Sequence, residues 1–65
     1  MTAQDALNKL RDRRWTYPMI SKLLFSEYGV EAETSHLSRI KKGERPASHN
    51  LTLALVKLEK KTRGI

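Results

Sequence analysis

The chain has 65 residues and contains no cysteine, and these two properties limit the possible folds more than any motif does. A chain this short buries only about 60% of its unfolded surface, so its apolar core is marginal. Small domains usually compensate with disulfides, metals or oligomerisation. Disulfides and thiolate metal sites both need cysteine. We therefore expect one domain over residues 1–65, stabilised in part by self-association.

The formal net charge of +6 lies entirely in the second half of the chain. Residues 1–33 carry five basic and five acidic side chains, whereas residues 34–65 carry eight basic and two acidic ones. This asymmetry indicates a polyanionic partner, either nucleic acid or an anionic membrane surface. The alternative is that the basic charge serves only solubility, as it often does in small proteins. Membrane binding is not expected, because no helical segment combines a basic face with an apolar face rich in Phe or Trp.

The first residues contain neither the basic nor the apolar region of a signal peptide. No apolar run approaches the roughly 20 residues that a membrane-spanning helix requires. We therefore expect a soluble, cytoplasmic protein.

Four amphipathic segments predict an all-α fold, a compact bundle of about four helices. The first segment covers residues 2–14, and Thr2 with Asp5 three residues later resembles a capping box. The second covers residues 18–28 and is followed by Gly29, a typical helix stop. Their predicted core positions are Ala3, Ala6, Leu7 and Leu10 in the first segment, and Ile20, Leu23, Leu24 and Tyr28 in the second.

The third segment, residues 34–42, has a narrow apolar side and a broad polar side. Leu37 and Ile40, three residues apart, can attach only one side of it to a core, and Gly43 follows its end. The remaining side chains are polar or charged. Such a helix must present its polar face either to solvent or to a ligand.

The fourth segment ends at about Lys61, and Ser48 or Asn50 can cap its start. Leu53 and Val56 fall on the side opposite its core face. A helix that is apolar on two sides is either central to the core or pairs with another chain. In the second case Leu53 and Val56 are the predicted homodimer interface. Its core face consists of Leu51, Ala54, Leu55 and Leu58.

The region around the third segment resembles the lambda-repressor-like helix-turn-helix family, which includes phage Cro and repressor proteins. In that family a glycine closes helix 2, as Gly29 does here. Helix 3 then carries an aliphatic residue, Ser-Arg and a second apolar residue, as residues 37–40 do, followed by a glycine and a basic-proline stretch, as in residues 43–46. The resemblance covers about residues 16–48. At the position inside helix 2 where the family usually has a small residue, this chain has either Ser21 or Phe25, depending on the alignment.

The resemblance implies that the start and middle of the third segment contact base edges in the major groove. Arg39 suits a guanine, through bidentate hydrogen bonds to O6 and N7. Basic side chains at the end of this helix, together with the start of helix 2, would contact phosphates. The predicted base-reading residues are Thr34, Ser35, His36, Ser38 and Arg39, and the predicted phosphate contacts are Thr16, Tyr17, Lys41, Lys42 and Arg45.

The function that this resemblance implies is a sequence-specific, duplex-DNA-binding transcriptional regulator, most simply a repressor. A symmetric homodimer would bind two operator half-sites about 34 Å apart. So small a module leaves no room for a small-molecule effector site. Its expected location is the cytoplasm of a bacterial or phage-infected cell.

Two alternatives stay open. A basic protein-interaction module, antitoxin-like or an assembly factor, would use its basic half to bind an acidic partner. An RNA-binding or single-strand-binding protein would need exposed aromatics among its basic residues. All four aromatics lie in the neutral half of the sequence instead, and Trp15 is predicted to be a core residue.

Catalysis and metal binding are not expected. The sequence has no glycine-rich phosphate loop and no nucleophile motif. Its two histidines, His36 and His49, are thirteen residues apart and have no cysteine beside them, which is not metal-ligand spacing. We therefore predict no enzyme activity, no metal and no cofactor.

Overall fold

The chain forms four helices in the computed structural model, which describes residues 1–64. Each helix has an apolar side, and short turns separate the helices. The helices are α1 (Ala3–Asp12), α2 (Tyr17–Tyr28), α3 (Thr34–Lys41) and α4 (His49–Thr62). No strand occurs in that part of the chain. The prediction of an all-α fold with about four helices is confirmed, and the predicted domain extends one residue beyond the described part.

Side chains that satisfy free N–H groups fix where three of the helices begin. Thr2 Oγ1 accepts the N–H of Asp5 at 3.1 Å, and Asp5 Oδ2 accepts the N–H of Thr2 at 3.2 Å, which confirms the capping box. The hydrogen bond from the Thr2 backbone lowers the pKa of the Asp5 carboxyl. Thr16 caps α2, and Ser48, the earlier of its two predicted candidates, caps α4.

Left-handed residues determine where α1 and α2 end. Gly29 has a φ of +66° and closes α2 as predicted. The end of α1 was predicted too late, at residue 14. Arg14 has a φ of +70°, which no continuing helix allows, and the N–H of Trp15 returns to the carbonyl of Leu10 at 3.1 Å. α1 therefore ends at Asp12.

The core collects apolar side chains from all four helices. Every predicted core residue of α1, α3 and α4 is buried. In α2, Ile20 and Leu24 are buried, whereas Leu23 and Tyr28 are half-buried at the edge of the core. Trp15 was predicted to be a core residue but is also only half-buried there, because it follows the end of α1.

The packing places α3 between two neighbours. α1 contacts α3 and α4, and α2 also contacts both of them.

Among the described residues, none of the helices has the length and apolar character needed to cross a membrane.

A buried carboxylate joins the C-terminal ends of α1 and α4. Glu59 is fully buried, with Oε1 2.9 Å from Arg13 Nη2 and Oε2 2.9 Å from Arg63 Nη2. Arg13 also donates to the carbonyl oxygen of Glu59 at 3.1 Å and to Thr62 Oγ1 at 3.0 Å. Hydrogen bonds from Arg63 hold the pKa of the Glu59 carboxyl below its ordinary value. We call Arg13, Glu59 and Arg63 the Glu59 ion cluster.

Replacing the buried carboxylate tests how much this cluster stabilises the fold. Glu59→Gln keeps the size of the side chain but leaves both arginines without a counter-ion, and we expect Tm to fall by about 5–10 °C in a thermal melt at neutral pH. Because the pKa is lowered in the folded state, the carboxylate stabilises the fold above its unfolded-state pKa. That stabilisation is lost as the pH falls through the folded-state pKa. The difference in Tm should therefore shrink on acidification.

Glu27→Gln is the matched control. Glu27 Oε2 lies 3.0 Å from Lys61 Nζ, but both side chains are largely exposed, so the pair contributes little. Equal losses of Tm in the two variants, or a difference that grows at acidic pH, would contradict the role assigned to Glu59.

Candidate nucleic-acid interface

Two buried side chains hold α3 and decide which of its sides faces outward. Leu37 and Ile40 are buried, at 0% and 3% exposure. Successive residues of an α-helix are rotated by about 100°, so the side opposite these two can be assigned directly. We call its residues the outward face: Ser35, Ser38, Arg39 and Lys42. Ser38 is half-buried, and the other three are exposed.

The structure brings most of the predicted base-reading residues to one side of the molecule. An open cleft beside α3 is lined by Ser35, His36 and Arg39, by Arg45 from the following loop, and by residues 31–33. His36 is half-buried at the flank of α3. Thr34, the first residue of the helix, is exposed, while Ser38 belongs to the outward face without lining the cleft.

The cations at the end of α3 differ in where they lie. Within residues 1–64, Arg39, Lys41, Lys42 and Arg45 form no ion pair with a carboxylate. Lys42 and Arg45 are exposed, whereas Lys41 is half-buried and its carbonyl accepts a hydrogen bond from Gln4 of α1. Lys41 follows the buried Leu37 by four residues and so lies toward the core side of α3, and Lys42 and Arg45 are better placed to meet a phosphate.

Thr16 and Tyr17, the other predicted phosphate contacts, lie at the start of α2 and line no part of the cleft. Thr16 Oγ1 caps the helix by accepting an N–H of its first turn at 3.4 Å. Tyr17 is half-buried, and the guanidinium carbon of Arg11 lies 4.6 Å from the centre of its ring, a cation–π contact. Arg11 also donates to the carbonyl of Trp15 at 3.0 Å. Their role as phosphate contacts stays a prediction.

Hydrogen bonds from the neighbouring helices meet both ends of α3, and sequence reasoning found neither. Gln4 Nε2 donates to the carbonyl of Lys41 at 2.9 Å. Ser21 Oγ donates to the carbonyl of Ala32, just before α3. Of the two candidates for the small position inside helix 2, Ser21 is therefore the one that faces the connection to α3. Phe25 is 58% exposed.

Two carboxylates in the cleft were also missed. Glu31 and Glu33 line it, and Glu33 precedes α3 without capping it through its side chain. The signal was visible in the sequence, since both residues stand directly before the third segment. Like charges repel, so these two carboxylates disfavour a phosphate group at the start of α3.

The predicted dimer residues differ in accessibility. Leu53 is 45% exposed and lies beside Tyr28, Val30 and Lys57. Val56 is half-buried and packs partly against the protein's own core. An apolar contact with a second chain would therefore depend mainly on Leu53.

Among residues 1–64, no three His, Asp or Glu side chains lie close enough together to hold a metal ion. The chain matches no family model, no curated protein and no solved structure. Its function has to be inferred from its own residues.

Proposed function

We propose that the chain is a sequence-specific duplex-DNA-binding regulator of transcription, in which α2 and α3 form a lambda-repressor-like helix-turn-helix. The observation that carries this proposal is the composition of α3, with two apolar side chains buried beneath it and small or unpaired basic side chains facing outward. The major groove of B-DNA accommodates one α-helix. A helix that packs against the core on one side and is polar on its outward face suits that groove.

The roles of the individual side chains follow from hydrogen-bond chemistry. Arg39 has no carboxylate partner among the described residues and can bond O6 and N7 of a guanine bidentately. Ser35, one turn earlier on the outward face, can reach a neighbouring base edge. Lys42 and Arg45 would contact phosphates, which fix the position of the helix without reading sequence.

Repression by a homodimer is the form of regulation that we favour, on the grounds of small size and of the resemblance around residues 29–46. Two half-sites about 34 Å apart would bind the two copies on one side of the duplex. Leu53 offers the exposed apolar contact between them. Stable interfaces bury about 800 Å² per partner, so a contact centred on one leucine indicates a weak dimer that DNA helps to assemble.

Each alternative function has one observation in its favour. A protein-interaction module is supported by Leu53, which lies on α4 with the exposed Lys57 and Lys60 and could bind an acidic, apolar partner helix. Binding of RNA or single strands is supported by Phe25, the most exposed of the four aromatics, on which a base could stack. The residues that support these alternatives lie on α4 and α2 rather than on the outward face of α3.

Two substitutions on α3 test the proposed division of roles. Arg39→Ala should cost about 1–3 kcal/mol of binding free energy on the preferred duplex and relax its base preference at one position. Lys42→Ala should weaken binding to all duplexes alike and reduce the salt slope by roughly one per bound protomer, about two for the dimer. Both effects are measured by fluorescence anisotropy on preferred and unrelated duplexes over a range of salt concentrations. If Arg39→Ala leaves affinity and preference unchanged, the assignment of the outward face is wrong.

The dimer contact is tested by Leu53→Gln. We expect the variant to be monomeric in sedimentation at concentrations where the unaltered protein associates, because the exposed apolar contact is lost. Met19→Gln is the matched control, since Met19 is 47% exposed on α2 and no dimer role is assigned to it. Unchanged association of Leu53→Gln would place the interface elsewhere.

A further inference from the structure

We propose that Gln4 of α1 and Ser21 of α2 are positioning residues, which fix the two ends of α3 and thereby determine which bases its outward face can reach. This inference rests on the proposed DNA-binding function. Neither residue belongs to the predicted contact set, and each acts through the backbone of α3 or of its connection rather than by touching a ligand.

The C-terminal end of α3 depends on Gln4 for one of its hydrogen bonds. The last four carbonyls of a helix have no partner within the helix and must be satisfied in another way. Backbone N–H groups of residues 42, 44 and 43 bond the carbonyls of residues 38, 39 and 40. The fourth carbonyl, that of Lys41, accepts the side-chain amide of Gln4 at 2.9 Å. α1 therefore completes the end of α3.

Gln4 is itself held in place. It lies in the first turn of α1, which the Thr2–Asp5 capping box fixes, and the preceding residue Ala3 is buried in the core. The turn after α3 also comes close to it. A Cβ atom at Gly43, whose φ is +79°, would lie 3.5 Å from Gln4 Nε2.

The start of α3 is fixed from the other side. Ser21 Oγ donates to the carbonyl of Ala32, and Ala32 is buried two residues before α3 begins. The connection between α2 and α3 leaves Gly29 in a left-handed conformation and has no regular structure until Thr34. The hydrogen bond that Ser21 donates to this connection limits how far the start of α3 can shift.

Such support matters because α3 is short. Eight residues make a helix of about 12 Å. Leu37 and Ile40 fix which of its sides meets the core, and the contacts at its two ends limit the smaller shifts and tilts that this anchoring leaves. Base contacts require the reading side chain to be placed within about 0.5 Å, whereas phosphate contacts carry no sequence information. Loss of positioning should therefore reduce discrimination between sequences more than it reduces overall affinity.

The experiment uses Gln4→Met and Ser21→Ala, which remove a hydrogen-bond donor without changing charge. Ser26→Ala is the matched control, because Ser26 is exposed on α2 and makes no side-chain hydrogen bond within residues 1–64. The preferred duplex is first selected from a randomised duplex library with the unaltered protein. The affinity ratio between this duplex and an unrelated one is then measured for each variant.

For both positioning variants, we expect this ratio to fall about 10-fold, with little change in affinity for the unrelated duplex or in salt slope. Ser26→Ala should match the unaltered protein. In the free protein, Gln4→Met should speed hydrogen exchange of the amides of residues 42–44, which bond the end of α3. Far-UV circular dichroism checks that each variant is folded.

Three results would overturn the proposal. An unchanged ratio together with unchanged amide exchange would mean that the two hydrogen bonds do not position α3. An equal loss of affinity for both duplexes would assign the side chains to direct phosphate contact. If the unaltered protein binds no duplex, the proposed function fails, and with it the effect on base discrimination. Faster amide exchange in Gln4→Met would still show, without DNA, that Gln4 holds the end of α3, so the two failures are distinguishable.

Discussion

The burial of Leu37 and Ile40 is the constraint on which the candidate site depends. These are the only two residues of α3 that are buried, and they fix which side of the helix meets the core. The other positions are thereby free to be polar without cost to the core. Since α1 and α2 both pack against α3, the helix is held from behind and from its ends while its outward face stays accessible.

Local signals were sufficient to predict the helices and most of the core. Apolar residues spaced three and four apart marked the buried stripes, and Gly29 marked the end of α2 because only glycine adopts a left-handed conformation without strain. The late boundary predicted for α1 has a local cause. Arg14 takes a left-handed conformation that is rare for its residue type, so no composition rule would have placed the helix end there.

Two of the features that sequence reasoning missed are interactions between residues far apart in the chain. Glu59 and Arg13 are 46 positions apart, and Gln4 and Lys41 are 37 apart. Glutamate on a helix is ordinarily a solvated residue. Glu59 continues the row of Leu51 and Leu55 at four-residue spacing, but the sequence does not indicate that Arg13 reaches it there. The excess of positive charge in residues 34–65 was visible in the sequence, but which of these cations lack a carboxylate partner was not. Lys61 and Arg63 form ion pairs, whereas Arg39, Lys42 and Arg45 form none within residues 1–64.

Duplex binding through α3 is tested most directly by fluorescence anisotropy with a labelled duplex and the matching single strand between about 50 and 200 mM salt. If Lys42 and Arg45 of two protomers each neutralise a phosphate, affinity should fall about 100-fold over this range. Binding through α3 predicts that fall together with preference for the duplex. No binding at low salt would contradict it. Preference for the single strand would also contradict it and would favour base stacking on Phe25.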